Sequence, residues 1–102
     1  MIKTAKQNKF ITEDTKELFY VISKLNNTEE SSKFLRDLLT ESEILEFAQR
    51  WKAAKMLDKR VPYSKISEVT GLSSTTIARV QKWLQDGMGG YKLMLKRIKE
   101  KK

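Results

Sequence analysis

The chain has 102 residues, 39% of them apolar, and its 21 Lys and Arg outweigh 13 Asp and Glu for a formal charge of +8. That length suits one small domain with enough apolar residues for a core. The absence of cysteine and histidine excludes disulfides, thiolate or imidazole metal sites and the commonest general base. No apolar run exceeds Leu18–Ile22, so neither a membrane-spanning helix nor a secretory signal is expected, and the cytoplasm is the expected location.

Residues 1–11, rich in Lys, Asn and Gln, read as a flexible N-terminal arm; residues 12–102 read as a single helical domain. Thr12 with Glu13 and Asp14 marks a first helix, whose apolar face Leu18, Val21/Ile22 and Leu25 runs to Asn26-Asn27. Thr28 with Glu29 and Glu30 starts a second, burying Phe34, Leu35, Leu38 and Leu39. Thr40-Glu41-Ser42-Glu43 is a capping box, in which hydroxyl and carboxylate each satisfy an orphan N–H. It opens a third helix from about Glu41 to Lys59, with Ile44, Phe47, Ala48, Trp51 and Ala54 at helical spacing. Leu45, Met56 and Leu57 widen its apolar arc, so it needs neighbours on more than one side. Pro62 is expected to end it.

From about residue 63 to 84 the pattern is that of a helix-turn-helix. Gly71 supplies the positive φ of the turn, and Ser73 caps the second helix through the N–H near Thr76. Ile66, Leu72, Ile77 and Val80 face the core; Ser67 fits a position that favours a small side chain, provided its hydroxyl finds a partner. Asp86-Gly87-Met88-Gly89-Gly90 breaks the chain before a last helix from Tyr91, with Tyr91, Met94, Leu95 and Ile98 on one face. No segment alternates as a strand would, so the class is all-α with about six helices. Short helices of this kind leave apolar faces exposed in a monomer, so a homodimer is expected.

Charge is unevenly placed. Residues 1–46 carry seven Lys/Arg against nine Asp/Glu, whereas residues 47–102 carry fourteen against four, a balance of +10. The positive potential therefore sits on the half that holds the helix-turn-helix, as attraction to phosphate requires. The expected DNA-facing residues are Ser64, Lys65, Ser73, Ser74, Thr75, Ala78, Arg79 and Lys82, with Arg79 or Lys82 reaching a guanine or a phosphate. The alternative for this set is an ordinary amphipathic surface helix. Trp51 and Trp83 lie at helical spacing with other apolar residues and are expected in the core.

Leu38-Leu39-Thr40-Glu41-Ser42-Glu43 through Arg50, together with Gly71 to Arg79, resembles the Trp-repressor superfamily, and most of all its YerC/YecD-type TrpR-like branch. The resemblance covers residues 12 to 100 in layout and is carried by 38–51 and 63–84. It implies an intertwined homodimer that binds a pseudo-palindromic operator as a transcriptional regulator, a repressor, on double-stranded DNA. It also implies a ligand pocket between the central and recognition helices, where Thr40, Arg50, Thr76 and Arg79 match and Leu39 comes from the other chain of the dimer. Val80 replaces the family's glycine after the recognition-helix arginine, Trp83 replaces a small serine, and Asp37 stands where a second pocket leucine is expected. Tryptophan is therefore not expected as co-repressor: either an unidentified small molecule takes its place or none is needed. Arg79 is expected to face the pocket first and DNA second; for Arg50 the alternative is pairing with Glu46 or Asp37. The competing readings are a basic RNA- or ribosome-associated helical protein and a protein-interaction module. An enzyme is not expected, since His and Cys are absent and no carboxylate pair stands in apolar surroundings.

Overall fold

Six helices account for most of residues 9–100, which are the residues described by the structure, a computed structural model. In order they are α1 (Glu13–Ile22), α2 (Thr28–Leu38), α3 (Glu41–Asp58), α4 (Tyr63–Thr70), α5 (Ser74–Asp86) and α6 (Gly90–Glu100), with no strand among the described residues. Most of the arm expected over residues 1–11 lies outside the described residues.

Side-chain caps set most of the helix starts. Thr12 and Thr15 form a reciprocal box at α1, with Thr15 N–H donating to Thr12 Oγ1 (3.0 Å) and Thr12 N–H to Thr15 Oγ1 (2.7 Å). The Thr40–Glu43 box is present in both halves at α3, with N–H to hydroxyl at 3.1 Å and N–H to carboxylate at 2.9 Å. At α2 the capping oxygen is Asn27 Oδ1, which accepts from Glu30 N–H, while Glu30 Oε1 accepts from Asn26 N–H, both at 2.9 Å. Thr28 is the first helical residue.

Two helix ends depart from expectation. α1 stops at Ile22, before Asn26, because Lys24 and Leu25 bond three residues back to Val21 and Ile22 and tighten the final turn. α3 ends at Asp58, and the residue that ends it is Arg60, held left-handed at φ 63°. Arg60 N–H bonds Leu57 O and Val61 N–H bonds Met56 O, which close the paired 5→2 and 6→1 bonds of a Schellman end. Pro62 instead opens α4, its φ of −64° suiting a helix start.

The chain forms two compact units, Met1–Leu38 and Leu39–Lys102. In the first, no residue of α1 or α2 is buried, and the Phe10 ring meets Phe19 edge-on at 6.2 Å. In the second, α3 packs on α4, α5 and α6, and α5 packs on α4 and α6. Its core is Ala53, Ala54, Leu57, Ile66, Ile77, Val80, Leu84 and Leu95. Ala53 and Ala54 have no exposed surface; their small side chains let α4 and α5 approach the α3 backbone closely.

Candidate nucleic-acid interface

The turn between α4 and α5 is tied by its own polar side chains. Gly71 adopts φ 78° and its N–H bonds Ser67 O at 2.8 Å. Ser67 Oγ donates to Leu72 O (2.8 Å), giving that hydroxyl the partner it needs; Thr70 Oγ1 donates to Ile66 O (2.7 Å) and accepts from Leu72 N–H (3.1 Å). Ser73 then caps α5, accepting from Thr76 N–H at 3.1 Å. These bonds fix the angle at which α5 leaves the turn.

The rotation of α5 is set by Ile77, Val80 and Leu84, all buried on one side. Ser73, Ser74, Thr75, Ala78, Arg79 and Lys82 are exposed on the remainder, and Thr76 is half-buried at the boundary. Ser64 and Lys65 are exposed on the first turn of α4, where Lys65 Nζ lies 3.8 Å from Glu68. The expected DNA-facing set is thus solvent-facing on both helices of the motif.

Of the residues expected to form a ligand pocket, Thr40 and Arg50 have partners on their own helix. Thr40 spends its hydroxyl on the α3 cap. Arg50 Nη2 holds Glu46 Oε2 at 2.8 Å, and its guanidinium lies 5.5 Å from the Phe47 ring centroid. The partner is Glu46, one turn back on the same helix. Arg50 Nε is buried without a hydrogen-bond partner. Arg79 is exposed, Thr76 and Leu39 are half-buried, and among the described residues no hydrogen bond or ion pair joins Thr40, Arg50, Thr76 and Arg79 to one another.

The sequence pattern of the Trp repressor protein family matches residues 13–99. The chain belongs to that family. The Bacillus subtilis (strain 168) protein YerC, itself uncharacterised, is 42% identical over 84 residues, covering 82% of this chain and 81% of its own. A TrpR-like protein from Eubacterium eligens ATCC 27750 superposes with a TM-score of 0.84 at 38% identity, over 89% of this chain and 94% of that one. A candidate Trp repressor from Staphylococcus aureus does so with a TM-score of 0.84 at 35% identity, over 96% of both chains. The Trp repressor family is one of DNA-binding regulators rather than enzymes. Among the described residues no helix is long and apolar enough to cross a membrane, and no cluster of acidic side chains is placed to hold a metal ion.

Against the Trp repressor pattern, Val80 and Trp83 behave differently from each other. Val80 is fully buried and fills space against α3 and α4. Trp83 is 44% exposed, which corrects its expected place in the core: one residue before Leu84, it sits on the flank of the buried arc. Trp51 is half-buried and stacks on Tyr91, with ring centroids 6.4 Å apart and planes 21° apart. Trp51, Trp83, Met88, Tyr91 and Met94 wall an open groove of about 550 Å³. Burial pushes the Tyr91 phenol above its ordinary pKa, against an opposing pull from Arg50. The pattern did not single out this groove, although large apolar residues at 83, 88, 91 and 94, around a glycine break, were its signal.

Proposed function

We propose that the protein is a sequence-specific transcriptional regulator, acting as a repressor, that binds a pseudo-palindromic operator as a homodimer in the cytoplasm and does not use tryptophan as effector. The observation that carries this is the exposed start of α5, where Ser73, Ser74, Thr75 and Ala78 are small enough for the backbone to enter a major groove and Arg79 and Lys82 stand beside them. The +10 balance of residues 47–102 surrounds that helix. Family membership supports repression as the mode of control. Val80, filling space where the family has glycine, weighs against an indole ligand.

Self-association has separate support. A unit of the size of Met1–Leu38 with no buried residue in either helix lacks a core of its own. Phe19, Tyr20, Leu38, Leu45, Phe47, Trp83 and Met88 are all large, apolar or aromatic, and exposed. A second copy supplies the apolar surface to cover such faces.

The deciding experiment is selection of bound duplexes from random DNA. The expected product is a palindrome with half-sites about 34–36 Å apart, the spacing of two recognition helices in successive major grooves. An unenriched pool refutes the reading, and tighter binding to single-stranded RNA than to duplex at equal salt replaces it with RNA association. With about six phosphates neutralised, log affinity should fall with log salt at a slope near −5; a flat dependence is incompatible with this interface.

A further inference from the structure

We infer that Arg79 reads a guanine in each half-site, and that this contact forms without any bound small molecule; the inference rests on the DNA-binding reading above. Three observations converge on it.

The first is register. With Ile77, Val80 and Leu84 turned into the core, successive residues advance by about 100° around α5. Thr75, Arg79 and Lys82 then fall within about 60° of arc, opposite the buried side. Thr75 and Ala78 beside Arg79 are short, so its guanidinium stands clear of the helix surface. Asp86 continues the same ridge at the last residue of α5, which confines DNA contact to the first two to three turns.

The second is that the guanidinium of Arg79 is uncommitted. Arg79 is exposed, and no hydrogen bond or ion pair among the described residues engages it, so its N–H donors are available to a partner. The third is that the surroundings a ligand would need beside Arg79 are already partly taken up. Arg50 is bound to Glu46 at 2.8 Å and lies over Phe47, and Val80 occupies the space beside Arg79 on the core side. A ligand carboxylate would have to compete with Glu46 for Arg50 and find room beside Val80, so the DNA contact of Arg79 needs no effector to form.

A planar guanidinium on the exposed start of a recognition helix matches guanine O6 and N7 in a bidentate pair. Lys82, a point charge three residues on, suits a phosphate instead. Arg79 therefore acts as a specificity-determining residue and Lys82 as an affinity contact.

The test uses full-length protein refolded from denaturant and dialysed, so that no small molecule accompanies it. Duplex selection should return a half-site with guanine at one symmetric position. Replacing that guanine by adenine should weaken wild-type binding about tenfold to a hundredfold. Replacing it by 7-deazaguanine, which removes only the N7 acceptor, should weaken it about tenfold. Arg79→Lys and Arg79→Ala should lose preference at that position alone and ignore the 7-deaza change, while the other positions stay selected. If Arg79→Ala weakens all sequences equally, or keeps the guanine preference, the inference fails while DNA binding stands. Selection that succeeds only with an added amino acid also overturns it. A wild-type protein that selects no duplex removes the DNA-binding reading itself.

Discussion

Gly71 offers a test of the turn in which sterics and backbone conformation separate cleanly. Its φ is 78°, and a Cβ built there would meet nothing within 4 Å. Substitution therefore adds no clash, only the cost of holding an L-residue in the left-handed region, about 1–2 kcal/mol. Alanine also narrows the unfolded ensemble, which offsets about 0.4–1 kcal/mol of that. Gly71→Ala should thus destabilise by about 1 kcal/mol, and Gly71→Asn by less, because asparagine tolerates this region. A D-alanine at 71, introduced by chemical synthesis, should stabilise instead, since it adopts positive φ without strain and still restricts the unfolded chain.

Gly87 is the contrast. There a Cβ would sit 2.4 Å from the carbonyl oxygen of Trp83, so Gly87→Ala must push backbone aside and should cost more, about 1–3 kcal/mol. Urea midpoints at one fixed protein concentration measure all four variants; the concentration is held because self-association would couple to unfolding. An asparagine variant no better than alanine at 71, or a destabilising D-alanine, would refute a left-handed turn residue between the two helices.

Ser73→Asp should keep the α5 cap and hold stability, since aspartate is as good an N-cap and suits the helix dipole, yet weaken duplex binding by repelling phosphate; unchanged DNA affinity in a gel shift would place the α5 start away from the backbone. Tyr91 has its folded pKa raised by burial, so its contribution is intact below the ordinary tyrosine range and is lost as pH rises from about 10 through the folded value. Tyr91→Phe should therefore flatten the fall in stability above about pH 10 relative to wild type, and parallel curves would count against burial of the phenol. Met94→Glu places a charge on the aromatic groove and should shift sedimentation equilibrium towards monomer without unfolding α3 to α6; an unshifted association constant would remove this groove from the subunit contact.

The residues that announced the fold were those whose local chemistry admits one reading. Thr40 and Glu43 three residues apart, Gly71 between two apolar periods, and Ser73 before Thr76 each specify a cap or a turn, and each stands in the structure with its hydrogen bond made. Arg60 escaped because its left-handed φ is imposed by the Schellman bonds to Met56 and Leu57, and nothing in an arginine signals that conformation. Asn27 escaped because Thr28, an equally good cap by type, stands next to it. Trp83 escaped for another reason: helical spacing places it beside the buried arc, and only the packing of α5 between α3 and α6 decides which flank position is covered. For Arg50 the sequence offered three destinations, and the one-turn spacing to Glu46 prevailed because neighbours on one helix need no tertiary coincidence to meet.

The third helix joins these threads. Ala53, Ala54 and Leu57, in its C-terminal half, are buried, whereas Leu45 and Phe47, in its N-terminal half, are 65% and 46% exposed. The wide apolar arc of α3 thus finds neighbours within Leu39–Lys102 only where α4, α5 and α6 pack. The orientation of α5 within its own unit is therefore fixed by one chain, through the buried Ile66, Ile77 and Val80 and the Ser67 and Ser73 hydrogen bonds. In the proposed dimer, the distance between two copies of α5 would depend instead on the faces left open at Leu45, Phe47 and Trp83. Base choice and half-site spacing would then be separable properties. Changes at Thr75 or Arg79 should alter which bases are selected at constant spacing, while changes on the open apolar faces should alter spacing or cooperativity at constant base choice.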